Sequence, residues 1–305
     1  MIGTSMVADG RGGDLGEHTM GVLAGIVADP DRGLDHPTDD SSGELLAELV
    51  ELARCNRVEG SLAIALRRHL TEIPAELEMA CRRASLVHLR TSRALGSIAA
   101  AFDERGIPWA VVKGPAVSRL WPHGTVTRTY DDLDVLVSPC DLRAAADVLQ
   151  QIGFAHRNRN WGGFTELGVA EIPFDDGSVV VDLHWNLVAL LAQRRDLRLD
   201  TVDLLRRAET VDLHGCTAPV LSDLDAFVHL CCHSGLAGAR NLRILRDVHL
   251  TAALVDPDDA RLALHDAGCE RLAAPVLDRA VRWFGPVISP DGIESDARHI
   301  CGNPN

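Results

Sequence analysis

From Ser42 the apolar positions recur every three to four residues: Leu45, Leu46, Leu49, Val50 and Leu52, then Leu62, Ile64, Ala65 and Leu66. That period predicts amphipathic helices. A second helical run opens at Pro74, passes through Leu86, Leu89, Leu95, Ile98 and Phe102, and stops at Gly106, a residue suited to a helix C-terminus. From Ile107 the pattern shortens. Apolar runs of a few residues, bounded by glycine and acidic turns, read as strands. One ends at Val111 and Val112, and a second covers 132–137. Ser138-Pro139-Cys140-Asp141 then predicts a helix start, with Ser138 as cap and Asp141 near the positive end of the dipole. That helix runs to Ile152 and stops at Gly153. A hairpin follows, with strands over 171–174 and 179–185 and the turn Asp175-Asp176-Gly177. Residues 210–221 predict a small hairpin around His214-Gly215, and from Ser222 the chain turns helical again.

These elements predict an α+β fold: a small mixed β-sheet core with helical N- and C-terminal regions. Residues 1–41 are rich in Gly, Asp, Ser and Pro and are expected to be disordered. The helical N-terminal region covers 42–105, the sheet core 106–200, and the mainly helical C-terminal region 201–305. The tail beyond Pro286 is expected to be loose.

The chemistry concentrates in 109–137, WAVVKGPAVSRLWPHGTVTRTYDDLDVLV. Lys113-Gly114-Pro115 makes a tight turn, and Pro115 suits a first helical position because its missing N–H is not needed there. Asp132 and Asp134 are one residue apart, so on a strand both carboxylates share a face. Like charges side by side repel unless a cation lies between them. A hard divalent ion with oxygen ligands meets that need; the alternative is a solvated acidic strand end. Asp131 alternates to the opposite face. On the later strand Asp182 and His184 share one face in the same way.

Composition changes this picture at three points. Of 30 basic residues only Lys113 is lysine, leaving 29 arginines (30 minus 1), so the one compact ammonium stands beside the glycine turn. A phosphate would suit it. The net charge of −14 argues against bulk nucleic-acid binding and against an anionic membrane surface. The eight cysteines are scattered without a paired spacing, and residues 20–28 are too short to span a membrane and lack a basic leader. Reduced thiols and a cytoplasmic location are expected.

A glycine turn opening a helix, Asp-x-Asp on a strand and a third Asp on a later strand together resemble the DNA polymerase beta-like nucleotidyltransferase superfamily. VVKGPAV, RTYDDLDVLV and VVVDLHW look more specifically like an uncharacterised bacterial nucleotidyltransferase family with Lys-Gly in place of Gly-Ser. The likeness covers 107–187, and the HLCCH and LRILRDVHL helices are also similar. It implies a transferase moving a nucleoside monophosphate from an NTP, ATP among the candidates, to a hydroxyl on a small molecule, peptide or protein, with release of pyrophosphate. It implies one or two Mg²⁺ ions on Asp132, Asp134 and Asp182, with Asp182 also helping to deprotonate the acceptor. Lys113, Gly114 and Arg128 would contact the nucleotide. Arg128 has a second reading, a pair with Asp131. The serine after the glycine is replaced by Pro115, which motivates a different class of function: an inactive binding or regulatory module of the same fold. Phosphoryl transfer on the same platform is a third reading. His184 and Tyr130 read equally as site or packing residues. His229 and His233 lie four apart on one helix face, but without a second ligand cluster they read as buried helix rather than zinc site. Arg240, Arg243 and Arg246 form a face that either helps hold a nucleotide or is solvated.

Overall fold

The computed structural model describes residues 12–33, 42–70, 72–157, 163, 168–213, 215–288 and 294–295. Its centre is a mixed seven-stranded sheet, and the strand at its middle carries the two aspartates. β1 is Trp109–Val111, β2 Asp132–Val137, β3 Ala155–His156, β4 Glu171–Asp175, β5 Val180–His184, β6 Glu209–Asp212 and β7 Thr217–Val220. Their order is β3-β4-β5-β2-β1-β7-β6. β2 runs antiparallel to β1 and parallel to β5, with Asp134 directly opposite Asp182 and Leu136 opposite His184.

Strand alternation gives the sheet two different faces. Leu133, Val135 and Val137 of β2, with Val181 and Leu183 of β5, are fully buried against two helices. These are α4 (Ala75–Arg105), which ends at Gly106, and α6 (Leu142–Gln151). The opposite face carries Asp132, Asp134, Asp182 and His184, and its Leu136 joins a second core under the C-terminal helices. Those helices are α8 (Asp223–Leu236), α9 (Leu242–Ala252), α10 (Pro257–Asp266) and α11 (Glu270–Phe284). Helix α7 (Thr201–Arg206) leads into β6. A third core joins α1 (Gly12–Ala28), α2 (Ser42–Asn56) and α3 (Glu59–Arg67) to Trp121 and Leu242.

Four expectations are corrected. Within 1–41, Gly12–Ala28 is a helix, not disordered: Leu23, Ala24, Ile26 and Val27 are buried in the third core, so the apolar patch has a partner that the first 41 residues lack on their own. Residues 1–11 and 34–41, expected to be disordered, and most of the tail beyond Pro286, expected to be loose, lie outside the described residues. The sheet core does not end at 200, because β7 adds a parallel strand to the free edge of β1 at Val111 and Val220. The helix expected from Ser138 begins at Leu142; Ser138 Oγ instead accepts from the Cys140 N–H at 3.2 Å and holds a turn before it. Cys232 and Cys269, expected as free thiols, are joined as a disulfide where α8 meets the start of α11, their Cα atoms 5.8 Å apart. No helix of the described residues is long and apolar enough to cross a membrane.

Two contacts bring the N-terminal helices to the site. Leu242 N–H donates to Asn56 Oδ1 at 2.9 Å, tying the end of α2 to the start of α9. Gly60 of α3 lies against the chain at 126–127, where a Cβ would fall 1.8 Å from the Val126 carbonyl oxygen. That close approach needs glycine, and it fixes the segment leading to Arg128.

Candidate active site

Gly114 turns β1 into the four-residue helix α5 (Pro115–Ser118) with φ 56 and ψ −115, a conformation that side-chain-bearing residues avoid. A Cβ there would also meet the Asp132 carbonyl oxygen at 3.4 Å. The turn delivers Lys113 across β2, where its Nζ is 3.0 Å from Asp134 Oδ1. His184 reaches the same oxygen from β5, with Nε2 at 3.0 Å. Asp134 is 4 % exposed. Burial alone would raise its pKa, but Lys113 and His184 overcome this and hold the carboxyl well below the usual range. His184 Nδ1 faces Glu171 Oε2 at 3.6 Å, an ion-pair distance too long for a hydrogen bond, and has no hydrogen-bond partner.

The neighbouring carboxylates behave oppositely. Burial, then the Asp134 charge, raises Asp132 and pushes Asp182 up to about 6. Two of the three carboxyls therefore carry unrelieved negative charge, and hard carboxylate oxygens are the donor set that Mg²⁺ prefers. Among the described residues no three His, Cys, Asp or Glu side chains already stand in ligand geometry. The donor chemistry fits the ion. The unfolded chain ionises Asp182 near 3.8 and the folded chain near 6, so folding penalises the charged form. That penalty is absent below pH ~4 and complete above pH ~6. Because Asp182 is half-buried, solvent reduces it to roughly 1–2 kcal/mol. Asp182→Asn is expected to raise the Tm of the metal-free protein by about 2–6 °C at pH 7.5 and by nothing at pH 4, as thermal melts across pH would read. An equal gain at both pH values would refute the charge origin.

Lys113, Gly114, Asp132, Asp134 and Arg128 all line one cleft of about 190 Å³; Asp182 sits one strand away from Asp134. Arg128 does not pair with Asp131. It makes a buried fork to Asp247 of α9, with Nε to Oδ1 at 3.2 Å and Nη2 to Oδ2 at 2.8 Å, and Trp121 Nε1 donates to the same Oδ1 at 2.8 Å. Burial works against the guanidinium, yet the Asp247 charge raises its pKa. Asp131 is exposed and ion-paired with Arg57 and Arg83. Tyr130 hydrogen-bonds His88 Nδ1 at 2.9 Å, and burial raises its pKa.

Of the three arginines expected to form one face, Arg240 is exposed, Arg243 is half-buried and Arg246 is buried. Arg246 is buried between His249, the Ala28 carbonyl and the Phe284 ring. Arg243 lines the cleft, donates through Nη1 to the Thr129 carbonyl at 3.0 Å and leaves its buried Nε unpaired. Burial, then Arg128, pushes it down to about 10. It is a half-buried cation at the cleft wall, where the sequence pattern left binding and solvation open. His229 and His233 are on α8 behind Lys113, and burial, then Lys113, pushes His229 well below its ordinary range and His233 down to about 4.

No curated protein matches the sequence. The crystal structure of ANT(2")-Ia in complex with adenylyl-2"-tobramycin is similar at 16% identity over 62% of this chain and 98% of that one, with a TM-score of 0.41. The crystal structure of an antigenic nucleotidyltransferase-like protein from Paracoccidioides brasiliensis is similar at 14% identity over 63% and 91%, with a TM-score of 0.37. The sequence itself carries the stronger relation, for residues 44–285, most of the chain and the whole of the sheet, match the family described as uncharacterised nucleotidyltransferase. The chain belongs to this nucleotidyltransferase family.

Proposed function

We propose that the protein uses Mg²⁺ to transfer a nucleoside monophosphate from an NTP to an acceptor hydroxyl, releasing pyrophosphate. The observation that carries this reading is the pairing of three carboxylates on adjacent strands with a cleft walled by Lys113 and Arg243, whose Nε has no hydrogen-bond partner. Asp132, Asp134 and Asp182 would hold the ion, which when bound neutralises charge on the triphosphate. Lys113 exchanges its hold on Asp134 for a phosphate oxygen. Arg243 and Arg57 draw the outgoing phosphates along the cleft. Asp182 takes the proton of the acceptor hydroxyl as its oxygen bonds to the α-phosphorus. The bond from that phosphorus to the bridging oxygen of the β-phosphate breaks, and its electron pair leaves with pyrophosphate.

A thermal-shift series of four NTPs, with and without Mg²⁺, tests this on the wild type and on Asp134→Asn. Ligand at about 100 times Kd adds roughly 2.7 kcal/mol, which moves the midpoint by about 5–10 °C. The expected shift needs both Mg²⁺ and Asp134. A shift indifferent to both would refute the reading. Arg243→Met should weaken the same NTP by about 10- to 100-fold, since hydrogen bonds from charged groups contribute about 1.5–3 kcal/mol. The nucleotide-free Tm should hold or rise, because an unpaired buried cation is removed. Unchanged NTP affinity would take Arg243 out of the site.

A further inference from the structure

Behind Lys113 the cleft gives onto a second chamber of about 340 Å³. Lys113 and His233 line both spaces and stand where they meet. The two spaces differ in kind. Arginines and aspartates wall the first. Leu187, Val188, Leu190 and Leu236 wall much of the second, and Leu190 and Leu236 are 52 % and 41 % exposed although large and apolar. Its polar lining is Lys113, Glu171, His184, Gln193, His229 and His233. His229 is 3 % exposed, and neither of its ring nitrogens has a hydrogen-bond partner; His184 Nδ1 has none either, its nearest polar neighbour being Glu171 Oε2 at 3.6 Å. Buried polar atoms left unpaired are costly, so three such nitrogens beside one chamber point to a hydrogen-bonding guest.

The reaction geometry says which guest. In phosphoryl-type displacements the attacking and leaving oxygens lie roughly in line, on opposite sides of phosphorus. With pyrophosphate drawn into the cationic cleft, the acceptor has to approach from the other side, where the chamber lies. The volume is at the lower end of small-molecule sites, about 300–1,000 Å³, which suits a compact molecule. A net charge does not suit it: Lys113 and Glu171 both line the chamber, so a cation would meet Lys113 and an anion would meet Glu171. A polyol would leave the leucine wall unmatched.

We propose that this chamber is the acceptor subsite and takes a small uncharged amphipathic alcohol. The apolar body lies against Leu187, Val188, Leu190 and Leu236, with the hydroxyl end toward His184, two residues along β5 from the base Asp182, and His229 beside it. This rests on the nucleotidyl-transfer reading and adds its substrate class.

Fluorescence titration of the full chain with three probes tests it: 2-(2-naphthyl)ethanol, 2-ethylnaphthalene and 2-(2-naphthyl)ethylamine. The alcohol is expected to bind at least tenfold tighter than the hydrocarbon and than the amine. Leu236→Glu, a change at an exposed wall, should weaken the alcohol at least tenfold, and His229→Leu should erase its advantage over the hydrocarbon. The Mg²⁺- and NTP-dependent thermal shift is measured on the same proteins and should be kept in both variants. Three probes of equal affinity, a tighter amine, or a Leu236→Glu protein that binds as the wild type does would overturn the chamber's assignment while the NTP shift stands. An absent NTP shift in the wild type would instead sink the transferase reading, and the acceptor role with it.

Discussion

Asp134→Asn is expected to lower nucleotidyl transfer by about a thousandfold or more in a protein that still folds. Three decades of rate correspond to roughly 4 kcal/mol of lost transition-state stabilisation, within the several kcal/mol that charge stabilisation by a metal-holding site supplies. The position concentrates that effect. One oxygen of Asp134 receives both Lys113 and His184 at 3.0 Å, and the carboxyl stands opposite Asp182. Asparagine keeps the shape and removes the charge. Lys113, whose side chain is 19 % exposed, loses its counter-ion, so the Tm should fall by several degrees without loss of the cooperative melt. Pyrophosphate release and circular dichroism on one preparation check both halves. Full activity in the folded variant would remove Asp134 from the metal site.

The largest stability effect is expected at Asp247. Its carboxylate is 2 % exposed and carries the Arg128 fork and the Trp121 indole. Removing one partner of a buried pair costs about 3–5 kcal/mol, because the other charge stays buried and uncompensated. Asp247→Ala should therefore lower the Tm by roughly 6–20 °C. The double replacement Arg128→Leu with Asp247→Leu removes both charges and should recover much of that loss. It also tests Arg128 as a nucleotide contact. If Arg128 touches phosphate, the restored protein binds NTP at least tenfold more weakly. If its part is to anchor α9 against the segment before β2, the restored protein binds NTP as the wild type does.

The two predictions differ in how far the sequence foreshadows them. Strand alternation is a property of the backbone, so Asp132 and Asp134 share a face whatever surrounds them. Gly114 sits at a φ and ψ open mainly to glycine, and the turn it forms was legible for that reason. The hairpin at Asp175-Asp176-Gly177 and the end of α4 at Gly106 follow equally local rules. The partner of Arg128 does not. Asp247 is 119 residues away, and the nearer Asp131 turned outward to Arg57 and Arg83. Charge pairing depends on which surfaces meet, and spacing along the chain carries no record of that.

The sequence by itself determined the element types, the sheet core with helices before and after it, the acidic face of β2 and the family resemblance. These rest on local periodicity and turn chemistry, which act within a few residues. Only the tertiary structure decided that β7 extends the sheet beyond residue 200 and that α1 packs within 1–41. It also decided that Arg243 turns inward and that a leucine-walled chamber lies behind Lys113. Each of these is a choice of packing partner. An apolar or charged face announces that it needs one, but shape, register and the competing surfaces of the whole chain select it.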